Sequence, residues 1–169
     1  MTAQVLPSDM YLDSSVIVAA IIGGDPHSAG CTRYCADLAT NNSAIYFSEL
    51  VRLEVAHVIR RLATTNAAPQ RLHEQYRLSH FSTNPAVRRE WMQFGMAEFE
   101  TLLRTFFVVY EVPYRKVIWR QALQLMSLHN LRSYDAAHIA TALVTGVPDF
   151  ASVDSDYVRV SGLRVHLIR

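Results

Sequence analysis

Four acidic residues of this chain stand where an acid is least at home, inside an apolar run or at its edge. Asp13 ends Met10-Tyr11-Leu12 and precedes the run Val16 to Ile22. Glu54 interrupts Leu50-Val51-Arg52-Leu53 and Val55-Ala56. Asp135 opens the run Ala136 to Val144, and Asp154 closes Phe150-Ala151-Ser152-Val153. The chain holds only 15 acids, so four in such places call for a reason. A carboxylate set against a core costs free energy unless something compensates it. A divalent cation is one such compensation, and carboxylate oxygens are the hard ligands that suit Mg2+ or Mn2+. Histidine is sparse around them, His138 following Asp135 by one turn, which argues against zinc or iron.

Each acid also has an ordinary reading of its own. Asp135 could serve the dipole at the start of a helix. Asp13, beside Ser14 and Ser15, could be a cap. Asp154 with Asp156 could form a solvated turn. Glu54 could pair with Arg52 or His57, or reach solvent. Separations of 41, 81 and 19 residues do not by themselves bring side chains together. The residues alone therefore point to a carboxylate metal site without establishing one.

The elements that must position these residues alternate. Asp9 to Asp13 reads as a short buried strand, and Ser14 or Ser15 as the cap of a helix from Val16 to Ile22. Gly23-Gly24-Asp25-Pro26 is a turn signal. A helix is expected from His27 to Thr40, then a strand from Ala44 to Phe47. Ser48 is placed as the cap of a helix from Glu49 to Leu62, whose apolar residues recur at helical period. Pro69 to Phe81 and Pro85 to Leu103 read as two more helices, the second rich in large apolar side chains from Trp91 to Phe99. Phe106 to Val112 has the β-branched and aromatic content of a strand. Pro113 fits the first turn of a helix running to His129. Ser133 would cap a helix from Tyr134 to Thr145, which Gly146 ends. Phe150 to Val153 and Leu163 to Ile168 close the series as strands. Alternation of this kind implies an α/β fold with a mainly parallel sheet covered on both faces. Asp13 and Asp154 then fall at the carboxyl ends of strands, where ligands of such sheets bind.

At 169 residues the chain fits one domain, able to bury about 70% of its unfolded surface. Half of its residues are hydrophobic, which excludes a disordered chain. No run is long enough to span a bilayer and no signal peptide is apparent, which points to the cytoplasm. Cys31 and Cys35, four apart on a helix, suit neither a mutual disulfide nor zinc and read as half-buried thiols. The net charge of +1 neither favours nor excludes nucleic acid. Lys116 is the single lysine among 16 basic residues; arginine is the better bidentate phosphate partner.

Four segments, in order, resemble the PIN-domain nucleases. They are Leu12-Asp13-Ser14-Ser15-Val16-Ile17-Val18; Phe47 to Val55, in which the acid falls six residues after Ser48; Tyr134 to Leu143, the strongest; and Ser152 to Tyr157 followed by Ser161 to Val165. The resemblance implies a three-layer α/β/α domain over residues 1–169, with residues 64–103 forming a helical arm longer than in the smallest relatives and suited to dimer or partner contacts. It implies that Asp13, Glu54, Asp135 and Asp154 carry catalysis, and that Asp13, Asp135, Asp154 and Asp156 gather around Mg2+ or Mn2+. Ser152 matches a polar position that orients a ligand or water. Glu49 competes with Glu54, and the six-residue offset favours Glu54.

Small PIN domains of this kind resemble VapC-type toxins of toxin–antitoxin pairs. The expected activity is thus metal-dependent hydrolysis of RNA, leaving 5′-phosphate and 3′-hydroxyl ends. The expected partners are RNA, a cognate antitoxin and a second copy of the chain. Arg52, Arg60, Arg61 and Arg132 lie nearest the acids in sequence and are the candidates to hold RNA. The alternatives are an RNA-processing nuclease, a DNA-directed nuclease of related fold, or a module that binds RNA or protein without cutting.

Overall fold

The computed structural model of the protein describes residues 6–22, 25–64 and 85–169. Five strands, β1 (Asp9–Leu12), β2 (Ala44–Ser48), β3 (Val108–Val112), β4 (Asp149–Ser152) and β5 (Arg164–Leu167), form one sheet. Their order is β3-β2-β1-β4-β5, and every pairing is parallel. The helices are α1 (Ser14–Ile21), α2 (Ser28–Thr40), α3 (Leu50–Thr64), α4 (Pro85–Leu103), α5 (Lys116–His129) and α6 (Ser133–Thr145). A short 3-10 turn, Ser155–Arg159, follows β4.

Strand pleat divides the core in two. Met10 and Leu12 of β1, Ile45 and Phe47 of β2 and Ala151 of β4 face α1 to α4. Tyr11 and Phe150 face the other way, into a cluster with Ile118, Ala122 and Leu125 of α5 and Ala136, Ile139 and Ala140 of α6. The sheet is thus buried on both faces, which is why β1 and β4 read as unbroken apolar runs rather than as alternating ones. This is the three-layer α/β/α arrangement that the alternating elements imply.

The central β1 has β2 on one side and β4 on the other. Chain direction therefore reverses its progress across the sheet at β1, and in open α/β sheets ligands bind beyond the carboxyl ends of the strands at such a point. Asp13 follows the last residue of β1, and its N–H bonds the carbonyl of Ala151 on β4 at 3.1 Å.

Several boundaries differ from expectation for local reasons. Helix α1 starts at Ser14, with Asp13 in the capping position and no side-chain cap; Ser15 turns its hydroxyl back to Asp13 instead. Strand β3 starts at Val108, not Phe106, whose side chain is buried under α4 while Phe107 is exposed. Pro113 lies ahead of α5, which starts at Lys116 after an extended Arg115. The expectation that Ser48 caps α3 fits its hydroxyl accepting from the Leu50 N–H at 3.2 Å. Gly146 ends α6 in the left-handed region at φ 74°, where glycine carries no Cβ penalty.

The apolar side of α4 is core. Trp91, Phe99 and Leu103 are buried in the cluster that holds Val51, Val55 and Ile59 of α3. Gly95 allows the close approach: a Cβ there would lie 2.4 Å from Ile59 Cδ1. Arg52 of α3 ties the same corner, pairing with Glu100 of α4 and with Glu111 of β3 (Nε to Oε1 2.7 Å), its guanidinium 5.3 Å over the Phe99 ring. The helix expected over Pro69 to Phe81 lies outside the described residues. Cys31 and Cys35 are fully buried rather than half-buried, and free; burial pushes their thiols up to about 11 and about 12. Among the described residues no helix is long and apolar enough to cross a membrane.

Candidate active site

Asp13 is buried, and two hydroxyls hold one of its oxygens. Ser15 Oγ donates to Oδ2 at 2.5 Å and Ser152 Oγ at 2.9 Å; Oδ1 takes no hydrogen bond among the described residues. Ser152, the last residue of β4, also accepts the Asp154 N–H at 3.0 Å. The pair of serines thereby joins the end of β1 to the end of β4. Asp154 caps the 3-10 turn, its Oδ1 accepting the Asp156 N–H at 2.8 Å.

Asp135 projects from the first turn of α6 and accepts the Tyr157 hydroxyl at 3.1 Å. Burial raises its pKa above the usual carboxylate range. The charges of Asp13 and Asp154 add to that rise, and the Tyr157 bond and His138 only partly offset it. Burial and the same three carboxylates push the Tyr157 hydroxyl up, so it remains a donor. Asp13, Asp135 and Asp154 are therefore brought within electrostatic reach of one another around Tyr157, although they lie on three separate elements.

Glu54 joins through His138. Its Oε2 lies 2.5 Å from His138 Nε2. His138 is buried on α6; burial opposes its charge, but the Glu54 bond and the fields of Asp13, Glu54 and Asp135 outweigh this and raise its pKa. Its Nδ1 lies 3.0 Å from the Tyr11 hydroxyl. Glu49 is engaged elsewhere, accepting the Tyr114 N–H at 2.9 Å. Asp156 stands apart: its side chain is 68% exposed, with Oδ2 3.8 Å from Arg159 Nη2.

Sequence reading passed over three contributors. Tyr11 looks like one more apolar strand residue, and Tyr157 like a residue of a solvated turn. His138 was visible only as a residue one turn after Asp135; that i, i+3 spacing, which puts both on one face of a helix, was the available signal. Of the candidate RNA-holding arginines, Arg52 is engaged by Glu100 and Glu111. Arg60, Arg61 and Arg132 are exposed.

Among the described residues no three His, Cys, Asp or Glu side chains form a ready-made metal cage. The donor chemistry nonetheless fits a hard divalent ion. Three carboxylates converge, and among the described residues no arginine or lysine pairs with any of them. One is buried with an oxygen to spare. Mg2+ takes one or two carboxylates and keeps several waters, which suits an open set.

A family model for the PIN domain matches residues 10–163. The chain belongs to the PIN-domain family. Among solved structures it is similar to VapBC2 from Rickettsia felis bound to a DNA fragment from their promoter, at a TM-score of 0.61 and 11% identity, over 95% of this chain and 99% of that one. At that identity the likeness speaks for the fold alone. No curated protein matches the sequence.

Proposed function

We propose that this PIN domain is a divalent-metal-dependent endoribonuclease, and the toxin of a toxin–antitoxin pair. The observation that carries the reading is the cluster of Asp13, Asp135 and Asp154 beyond the ends of β1 and β4, with no arginine or lysine paired to it among the described residues. An RNA phosphate is anionic and would be repelled by bare carboxylates. Asp13, Asp135 and Asp154 would hold Mg2+ or Mn2+. When bound, the ion supplies the positive charge that draws a phosphoryl oxygen and makes a water more acidic. Asp156, exposed and turned toward Arg159 in this structure, is the remaining expected ligand.

The chain's own residues do the rest. Ser15 and Ser152 fix the Asp13 carboxylate, and Tyr157 fixes that of Asp135. Glu54 orients the attacking water and takes its proton. Exposed Arg60, Arg61 and Arg132 would contact the RNA backbone, so binding would weaken with salt. The family assignment supports the nuclease reading. The fold likeness to VapBC2, whose structure includes promoter DNA, supports an antitoxin partner. A second copy of the chain is the other partner, and the cytoplasm the place of action, on this reading.

The test is digestion of RNA and single-stranded DNA, side by side, by wild type and Asp13→Asn with Mn2+. Wild type is expected to cut RNA into 5′-phosphate and 3′-hydroxyl ends, and the variant to be inactive. Equal cutting by both proteins would overturn the proposal.

A further inference from the structure

A buried line of hydrogen bonds runs behind Glu54. The Ser48 N–H, at the end of β2, donates to the Tyr11 hydroxyl at 3.0 Å. That hydroxyl lies 3.0 Å from His138 Nδ1, and His138 Nε2 lies 2.5 Å from Glu54 Oε2. Four elements, β1, β2, α3 and α6, each contribute one group. Tyr11 and His138 are almost completely buried, so the line is shielded from water.

Proton bookkeeping sets its direction. The Tyr11 oxygen already accepts from the Ser48 N–H, so its own proton is free to go to Nδ1, the nearer of that nitrogen's two partners. Ser48 Oγ lies 3.4 Å from Nδ1, and the Ser48 and Thr141 hydroxyls also flank Tyr11. Burial keeps that hydroxyl protonated. A neutral imidazole that accepts at Nδ1 carries its proton on Nε2. Nε2 then faces a carboxylate oxygen and donates to it. If the ring is charged, Nε2 still carries a proton toward Glu54. The Tyr11 ring is itself held by stacking on Phe150, centroids 5.1 Å apart and planes 7° from parallel.

Resting on the nuclease reading above, we propose that Tyr11 and His138 are positioning residues: Tyr11 fixes the His138 ring, and His138 fixes Glu54. Glutamate is a rotamer-rich side chain, and freezing it costs up to about 2 kcal/mol. The His138 bond holds Oε2 in advance, while Oε1 takes no hydrogen bond among the described residues and is left to face a water. The pattern is that of an imidazole orienting a carboxylate, the reverse of the familiar carboxylate orienting a histidine. An ordinary core histidine would need partners for its two nitrogens but would have no bearing on turnover.

The test combines kinetics with nitrogen NMR. His138→Leu is expected to lower kcat about 10- to 100-fold with KM little changed. His138→Gln, which can still donate to Glu54, is expected to recover part of that loss. In 15N-histidine-labelled wild type at alkaline pH, His138 should show a protonated Nε2 and a bare Nδ1. Tyr11→Phe should move the Nδ1 resonance and leave Nε2 protonated. Wild-type kcat in folded His138→Leu, or a neutral His138 ring in wild type with its proton on Nδ1 and Nε2 bare, would overturn the proposal. If Asp13→Asn cuts as well as wild type, the nuclease reading fails instead, and the NMR outcome still decides the hydrogen-bond line.

Discussion

The two ends of β4 treat aspartate in opposite ways. At the amino end, Asp149 receives Arg164 at both oxygens and His166 Nε2 at 2.9 Å. Those partners, Arg164 foremost, hold its carboxyl below the usual range against the opposing effect of burial. At the carboxyl end, among the described residues, Asp13, Asp135 and Asp154 take hydrogen bonds only from hydroxyls and a backbone N–H, no arginine or lysine pairs with them, and burial drives Asp135 upward despite His138 nearby. A neutralised acid at one end of a four-residue strand thus gives way to an unneutralised cluster beyond the other. The chain can evidently supply a cation where one is needed for structure. Where it supplies none, the acids are free to take a cation from solution.

The contrast can be broken or sharpened by experiment. The largest effect is expected from Asp13→Asn, which should lower Mn2+-dependent RNA cleavage by at least about a hundredfold, since even groups that only support a metal site cost 10–100-fold when removed. Activity near wild type would place the function elsewhere. Next, Mg2+ or Mn2+ should raise the melting temperature of wild type, by about 2.7 kcal/mol of stability at a hundred times Kd. Asp13→Asn should lose that gain, and a calorimetric titration should show why.

Without metal, substitutions at the two ends should have opposite signs. Asp149→Asn is expected to destabilise by on the order of 1 kcal/mol, a figure kept low because Arg164 is largely exposed. Asp135→Asn should stabilise by less than about 1 kcal/mol, discounted for its half-exposed position, because it relieves repulsion and keeps an acceptor for Tyr157. Denaturant melts in chelator decide this, and two losses of stability would erase the contrast. The smallest effect is the pH dependence of Asp149→Asn. The native carboxyl lies below its unfolded value, so its contribution is full above about pH 4 and fades as pH falls further. The gap between variant and wild type should close only there.

Much of the fold could be read from the chain because its strands and helices are each locally consistent. The apolar β1 and β4, the periodic α3 and the Gly146 stop of α6 all agree with their surroundings. Boundaries slipped where side-chain partners are distant, as at Ser15, whose hydroxyl serves Asp13 and β4 rather than its own helix. The acids were legible because charge beside apolar sequence is locally odd. Their convergence was not, since it depends on which strands become neighbours. Tyr11 and His138 escaped notice because each looks ordinary in its own segment. Only the register of β1 against β2, Tyr11 opposite Tyr46, brings the Tyr11 hydroxyl to the Ser48 N–H. Likewise Arg52, a candidate for RNA by sequence position, proved to be a structural clasp.

The placement of β4 beside β1 also has a consequence in time. The Ser152 bond to Asp13 joins residues 139 apart, and parallel neighbours so distant in the chain form slowly because a long loop must close first. A chain under synthesis presents β1 early but must wait for its β4 neighbour until nearly all the residues described here have been made. Until then it has Asp13, Glu54 and eventually Asp135, but it lacks Asp154, and it lacks Ser152, which holds Asp13, and Tyr157, which holds Asp135. Order of synthesis and order of assembly are thus opposed, and an incomplete chain possesses most of the acids without possessing the site.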